Sequence, residues 1–257
     1  MQQLRILKSE FLEPFATMLP PGTEERFNRL EEEKATERFT FYNSVSAICS
    51  SKIEGEAIEL DSFLKYKLYN TGIAQELVQK PEDLYNAYVF AQENSLSLKN
   101  FLEAHAILSQ HLLIKERRGQ IRNSEMIILN HNTGTVEYEA CRAEIVKKEL
   151  DKLFEDIDNL ISSDLSFTEV VYYAAFIHLV FVKIHPFDDG NGRAGRLLEK
   201  WFLAEKAGFK CWQVPAEKMY FDNVKQYYTN LQLTGFFYDN TDYNKALPFL
   251  LMLPTTF

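Results

Sequence analysis

The sequence predicts an all-α fold with a single β-hairpin. Apolar residues recur at intervals of three and four along most of the chain, as in amphipathic helices. Only one stretch has β character, in which residues 126–129 and 135–138 flank the turn-rich segment 131–134. No repeats or low-complexity linkers interrupt the 257 residues. We therefore expect one continuous domain, with a helical N-terminal region of residues 1–95 and a core of residues 96–257.

Proline, glycine and capping residues set the predicted helix boundaries in the first half of the chain. Leu4 to Met18 has apolar residues at helical spacing and is ended by Pro20 to Gly22. A second helix, Phe39 to Ile53, ends at Gly55, which suits a C-cap. Shorter patterns predict further helices at residues 61–69, 81–92 and 97–114.

The second half of the chain is predicted to hold the core helices. Cys141 to Ile161 is charged and amphipathic, and Ser166 to Glu169 matches a capping box for the next helix, Phe167 to Lys183. Because that helix is apolar on nearly all sides, we expect it at the centre of the domain. The remaining patterns predict helices at residues 192–207, 217–231 and 242–253.

Composition argues against several classes of function. Lys and Arg number 28 against 37 Asp and Glu, and the net charge of −9 disfavours general affinity for nucleic acid or anionic membranes. The chain starts without an apolar signal core and has no run of about 18 apolar residues, so we expect no membrane insertion. Cys49, Cys141 and Cys211 lack metal-ligand spacing. We expect reduced thiols in a cytoplasmic protein.

The segment from Ile184 to Arg196 is the most informative part of the sequence. Pro186 should end the preceding helix, because proline lacks a backbone donor and disfavours helical geometry in the residue before it. Gly190 and Gly192 would let backbone N–H groups approach an anion closely. If a helix begins here, its free N–H groups and dipole would also favour negative charge, so phosphate is the expected ligand.

Four side chains of this segment suit phosphate chemistry. Arg193 and Arg196 share one face of the predicted helix, and guanidinium groups match phosphate oxygens. Asp189 is a hard oxygen ligand of the kind that Mg²⁺ takes together with substrate phosphates. His185 can accept a proton from an attacking hydroxyl near neutral pH. Together these residues predict metal-assisted attack on a nucleotide.

Residues 185–196 resemble the complete active-site signature of the Fic (filamentation induced by cAMP) domain family. The resemblance implies a helical bundle and a protein adenylyltransferase, which moves AMP from ATP to a Ser, Thr or Tyr hydroxyl of a target protein and releases pyrophosphate. It also implies that His185 deprotonates that hydroxyl and that Asp189 binds Mg²⁺ between the α- and β-phosphates. Phe187 would anchor the loop in the core.

The resemblance assigns the phosphate groups of ATP to neighbouring residues. Asn191 and the backbone around Gly190 and Gly192 would hold the α-phosphate, and Arg193 and Arg196 would hold the outer phosphates. The expected partners are ATP and the target protein. We expect neither nucleic acid nor a membrane as a partner, and a homo-oligomer is left open.

A second stretch extends the resemblance to the N-terminal region. Ser50 and Glu54 are four residues apart, so they share a helix face. On its own, this pattern is more typical of a solvated helix that ends at a capping glycine. Beside the downstream signature, it resembles the inhibitory-helix motif of Fic proteins, here about residues 40–55. The resemblance implies that Glu54 pairs with Arg196 and blocks productive binding of the γ-phosphate.

The hairpin and one later helix complete the resemblance. A hairpin at about residues 121–138 would form the family's flap over the active site, where Ile127 and Ile128 would dock the backbone of the target. Related chains often carry a Pro-Pro pair after the flap, and residues 139–141 differ from this. Tyr227 and Tyr228 would line the adenine pocket.

Other functions remain open at this point. Glu54 could position a water molecule for removal of AMP, so the same scaffold could act as a de-AMPylase. Another nucleotidyl or phosphoryl transfer is a further alternative, although Gly192 stands where phosphoryl-transferring relatives carry lysine. The third alternative is a non-catalytic module that binds nucleotide or a partner protein.

Overall fold

The computed structural model describes residues 3–30, 36–129 and 134–257, without the side chains of residues 36–39. These residues form a helical bundle with one antiparallel hairpin, which confirms the predicted fold class. The elements are α1 (Leu12–Met18), α2 (Thr23–Asn28), α3 (Thr36–Ile53), α4 (Leu60–Tyr69), α5 (Gln75–Glu93), α6 (Leu98–Leu108), β1 (Ile127–Leu129), β2 (Val136–Glu139), α7 (Val146–Ser162), α8 (Phe167–Ile184), α9 (Asn191–Ala207), α10 (Ala216–Asp222), α11 (Val224–Leu233) and α12 (Leu247–Leu250).

Helix α8 lies at the centre of the molecule, as its sequence predicts. Every residue from Val170 to Phe181 is buried, and the predicted capping box starts the helix. By length and hydropathy α8 could cross a membrane, but 78% of it is buried inside the protein, as in a core helix. Gly195 of α9 lets the two helices approach closely, because a Cβ there would lie 2.9 Å from Val182. Residues 185–190 are therefore held between two core helices.

The predicted first helix is wrong over its N-terminal half, where residues 4–11 are not helical. The carboxylate of Asp156, on α7, accepts hydrogen bonds from the backbone N–H groups of Arg5, Ile6 and Leu7, at 2.6, 2.8 and 2.9 Å. This side chain is fully buried. The segment is thus fixed by one distant acid instead of by helical hydrogen bonds.

We expect Asp156→Ala to lower the free energy of unfolding by about 3 kcal/mol. Each buried N–H group left without a partner costs roughly 1–3 kcal/mol, and the segment can recover part of this by detaching. Urea unfolding followed by circular dichroism measures the change. Asp158→Ala, on the exposed side of the same helix, is the control, and we expect a change below about 0.5 kcal/mol. Equal effects of the two substitutions would contradict the anchoring role.

Several other boundaries differ from the predicted ones. Pro81, predicted at a helix start, lies inside α5, where its burial offsets the missing hydrogen bond. The predicted helix at residues 217–231 is two helices, because Asn223 leaves helical geometry and its side chain donates to the carbonyl of Met219. Shorter elements also replace the predicted helices at 97–114, 141–161 and 242–253.

The predicted hairpin is present and its ends lie beside the loop after α8. Ile127 pairs with Glu139 and Ile128 with Tyr138, in antiparallel register. Tyr138 is buried, and its hydroxyl donates to the carbonyl of Lys183 at 2.9 Å. Of the predicted turn at residues 131–134, residues 131–133 lie outside the described residues.

Candidate active site

The loop begins at His185, which ends α8 in a left-handed conformation with φ 53° and ψ 61°. Its ring Nδ1 lies 3.1 Å from the carbonyl oxygen of Val182, which places the ring proton on Nδ1 and leaves Nε2 as an acceptor. Burial is the main cause that lowers the pKa of His185 to about 4. The imidazole is therefore neutral at physiological pH and able to accept a proton.

Phe187 anchors the loop in the core. Its ring is fully buried and stacks on the imidazole of His105, with 3.5 Å between ring centroids. The Nε2 of His105 hydrogen bonds to the carbonyl of Asp189 at 2.9 Å, and its Nδ1 accepts from the N–H of Gly119 at 3.1 Å. His105 is thus a core histidine that supports the loop through both ring nitrogens.

Asn191 has a different contact from the predicted one. Its side-chain oxygen accepts from the N–H of Phe187 at 2.9 Å, and its side-chain nitrogen donates to the carbonyl of Phe187 at 2.8 Å. This amide therefore closes the loop instead of reaching toward a phosphate. Gly190, with φ 80°, precedes it and lets α9 begin at once. The backbone N–H groups at this helix start remain the predicted phosphate donors.

Arg193 is buried with two of its donors unsatisfied. Only 4% of the residue is exposed, and its Nη2 lies 3.3 Å from the carboxylate of Glu56. Among the described residues, Nε and Nη1 of Arg193 have no hydrogen-bond partner. Buried polar groups without partners are rare and costly, so an external anion is the expected partner. The position at the start of α9 agrees with the predicted binding of outer phosphates.

Arg196, by contrast, is engaged at all three nitrogens. Its Nη2 donates to the carboxylate of Glu54 at 2.6 Å and to the carbonyl of Ser50 at 3.0 Å. Its Nε donates to the hydroxyl of Ser50 at 2.8 Å, and its Nη1 lies 3.3 Å from the hydroxyl of Tyr227. The structure thus brings together both predicted inhibitory residues and the arginine that they were predicted to block.

The charge state of Glu54 follows from two opposing effects. Burial raises its pKa, but the adjacent Arg196 guanidinium outweighs burial and the pKa falls below its ordinary value. The Glu54 carboxylate is therefore ionised at neutral pH. Because a lowered pKa stabilises the ionised pair, the pair is complete above the ordinary carboxyl range and is lost only as pH falls through the lowered pKa.

Gly192 provides the space that Glu54 occupies. A Cβ at this position would lie 2.3 Å from a carboxylate oxygen of Glu54 and 3.3 Å from Nη1 of Arg196. Glu54 therefore lies over the first turn of α9, where free N–H groups and the helix dipole attract negative charge. A carboxylate of the protein itself occupies the predicted anion site.

Asp189 is exposed at the tip of the loop, and its Oδ1 accepts from the N–H of Gly190 at 2.6 Å. No group of three or more potential metal ligands occurs among residues 3–30, 36–129 and 134–257. A single exposed carboxylate beside an anion site nevertheless fits Mg²⁺, which takes most of its ligands from phosphate and water. The predicted magnesium ligand stays a prediction.

The structure corrects the predicted role of Tyr227. This residue is 1% exposed, and its hydroxyl lies 3.3 Å from Arg196 and 3.1 Å from Nε2 of His178. It belongs to the core and cannot present a ring face to adenine. Tyr228 is 37% exposed, and its hydroxyl lies 3.4 Å from the carbonyl of Ile53. Its place in an adenine pocket stays a prediction.

A sequence model of the Fic/DOC family matches residues 95–203, which include the hairpin and the loop. The chain therefore contains a Fic domain. It is 28% identical over 155 residues to the protein adenylyltransferase Fic of Nematostella vectensis, and 30% identical over 125 residues to that of Aedes aegypti. These matches cover 60% and 48% of this chain, but only 29% and 22% of the two relatives.

Solved structures of Fic proteins share the fold. A Fic family protein from Desulfovibrio desulfuricans G20 superposes with a TM-score of 0.76 and 20% identity, covering 99% of this chain and 74% of the other. Fic-1 from C. elegans gives a TM-score of 0.65 and 19% identity, covering 95% of this chain and 68% of the other. At these identities the likeness concerns the fold.

The Fic flap presents its two predicted docking residues differently. Ile127 is 54% exposed, whereas its neighbour Ile128 is partly buried, because successive residues of a strand face opposite sides. Binding of a target at this strand stays a prediction.

Sequence reasoning missed Glu56, which pairs with Arg193 and also accepts from the Lys80 side chain at 2.8 Å. The signal was present, since Glu56 follows Glu54 and Gly55 directly. Glu56 lies beyond the end of the helical pattern at Gly55, so periodicity places it on no helix face.

Proposed function

We propose that this Fic domain is a protein adenylyltransferase that transfers AMP from ATP to a hydroxyl side chain of a target protein. The observation that carries this proposal is the buried guanidinium of Arg193, in the first turn of α9, two of whose donors have no hydrogen-bond partner among the described residues. The names of the curated relatives agree with this activity. Since this chain spans less than a third of each relative, the activity is proposed on its own residues.

In the proposed reaction, the acceptor oxygen attacks the α-phosphorus of ATP. The bond from that phosphorus to the oxygen bridging to the β-phosphate breaks, and pyrophosphate leaves. Nε2 of His185 takes the proton of the acceptor hydroxyl. Backbone N–H groups at the start of α9 stabilise the charge that develops on the α-phosphate. Asp189 would hold Mg²⁺, which neutralises phosphate charge.

The proposal includes autoinhibition. Glu54 takes up one N–H group of Arg196 and lies over the first turn of α9. A γ-phosphate that approaches the same guanidinium is repelled by the negative charge of the Glu54 carboxylate. ATP therefore binds with its α-phosphate out of line for transfer. Displacement of Glu54 restores the site.

Labelled ATP distinguishes AMP transfer from the alternatives. A Glu54→Gly protein is incubated with Mg²⁺, cell lysate and ATP that is labelled on either the α- or the γ-phosphate. Each label is compared with that given by the same protein with His185→Ala, which corrects for the kinases of the lysate. Label above this control only from α-labelled ATP supports AMP transfer. Label above the control from γ-labelled ATP would indicate phosphoryl transfer, and no label above the control from either would favour a non-catalytic module.

Glu56 should add to the inhibition, because it holds Arg193 as Glu54 holds Arg196. In the Glu54→Gly background we expect Glu56→Gln to raise the rate of self-AMPylation a further threefold to tenfold, since one partly exposed ion pair contributes about 1 kcal/mol. Initial rates at subsaturating ATP measure the effect.

The matched control for Glu56 is Glu82→Gln, which removes an acid paired with Lys67 at 3.1 Å, on α5. We expect no change in rate from this substitution. A Glu56→Gln rate equal to that of the control would show that Arg193 is free to bind phosphate whether or not Glu56 is charged.

A further inference from the structure

Arg122 is a buried arginine that holds the catalytic loop through backbone carbonyls. It precedes β1, and only 2% of the residue is exposed. Its Nε donates to the carbonyl of His185 at 2.7 Å, and its Nη2 to that of Ile184 at 3.3 Å. Its backbone N–H donates to the carbonyl of Pro186 at 2.9 Å. Three consecutive carbonyls of the loop therefore contact this one residue.

The same guanidinium also binds both ends of the flap. Its Nη1 donates to the carbonyl of Ser124, before β1, at 2.6 Å, and its Nη2 donates to the carbonyl of Cys141, after β2. The two ends of the flap are also hydrogen bonded to each other there, since the N–H of Ala140 donates to the carbonyl of Met126 at 3.0 Å. One side chain thus joins the start of the flap, its end and the catalytic loop.

These contacts indicate a geometric role for Arg122. Each hydrogen bond that the structure describes for the Arg122 side chain goes to a backbone carbonyl. The guanidinium therefore holds backbone groups in place and does not pair with a carboxylate there. A planar guanidinium offers five donors at fixed angles, which a lysine cannot reproduce. One of these donors fixes the peptide of His185, whose left-handed backbone costs about 1–2 kcal/mol.

We propose that Arg122 is a positioning residue for AMP transfer, which holds the flap at a fixed distance from His185 so that an acceptor hydroxyl docked on the flap meets Nε2. This inference rests on the proposed function. Arg122 acts on alignment of the acceptor, whereas the predicted ligands of ATP lie at the loop tip and on α9. Its loss therefore slows transfer and leaves ATP binding unchanged.

The test compares ATP affinity with the rate of transfer in the Glu54→Gly background. We expect Arg122→Lys to lower the rate of self-AMPylation at saturating ATP and Mg²⁺ by about 10²-fold, the loss that a misplacement of about 1 Å can cause. The Kd for ATP, measured by calorimetry, should change less than about twofold. Arg142→Lys is the matched control, because Arg142 follows the flap, is exposed and pairs with Asp239 at 3.2 Å.

Two results would overturn the positioning role. One is an Arg122→Lys protein that transfers AMP as fast as the Arg142→Lys control. The other is a loss of ATP affinity as large as the loss of rate, which would mean general damage to the site. If the lysine variant is unfolded by circular dichroism, Arg122→Gln is measured in the same way and decides. Failure of the Glu54→Gly parent to incorporate AMP would instead reject the proposed function.

Discussion

Glu54→Gly is expected to raise the rate of self-AMPylation about 30-fold. The substitution frees Arg196, which is 1% exposed and donates to Glu54 at 2.6 Å. Loss of one partner of a buried hydrogen-bonded charge pair is worth about 2–5 kcal/mol, and each 1.36 kcal/mol corresponds to tenfold in rate. We take the lower end because the Glu54 side chain is 30% exposed. Initial rates with α-labelled ATP and Mg²⁺ measure the effect.

The control for this prediction is Glu59→Gly, which removes an exposed acid paired with Lys52 at 2.7 Å. It lies beyond the end of α3 and should leave the rate of the unaltered chain unchanged. An equal rate for Glu54→Gly and the unaltered chain would reject autoinhibition by Glu54. Glu54→Gln removes the charge of the side chain but keeps its volume. We expect its rate to lie between those of the unaltered chain and Glu54→Gly.

His185→Ala in the Glu54→Gly background should lower the rate of AMP transfer by about 10²- to 10⁴-fold, the range typical of a lost general base. The neutral imidazole has its Nδ1 held by the carbonyl of Val182, so only Nε2 is available to the acceptor proton. Single-turnover incorporation of α-labelled AMP measures the rate. The Kd for ATP should stay within about threefold, because the proposed role of His185 is to contact the acceptor and not the outer phosphates.

The matched histidine control is His111→Ala. His111 is exposed and follows α6, and its ring lies 2.8 Å from the carboxylate of the buried Asp83 on α5. We expect this variant to transfer AMP at the parent rate. Retention of the parent rate by His185→Ala would show that another group, or the solvent, accepts the proton.

The loop could be predicted from the sequence because its signals are local. Residues 185–196 carry proline, glycines and charged groups in one short run, and the proline and first glycine also set the end of α8 and the start of α9. The contact between Glu54 and Arg196 spans 142 residues, and the sequence predicted it only through the family resemblance. Periodicity alone favoured a capped, solvated helix.

The wrong predictions concern groups whose contacts are made by residues far away in the sequence, or groups that can bind either a ligand or a nearby part of the protein. The apolar residues of the N-terminal segment have helical spacing, but its backbone N–H groups donate to Asp156, which is 149 to 151 residues away in the sequence. The side-chain amide of Asn191 can bind a phosphate or its own loop, and in the structure it forms both of its hydrogen bonds with the backbone of Phe187. The helix predicted at residues 217–231 includes four aromatic residues, and their spacing does not reveal that the ring of Tyr227 faces the core.

The most direct test of the account is the intact mass of the Glu54→Gly protein after incubation with ATP and Mg²⁺. The account predicts a gain of one AMP group, absent from the same protein with His185→Ala. An unchanged mass, or a gain of one phosphate group, would contradict the claim that the loop between α8 and α9 aligns the α-phosphate of ATP for transfer.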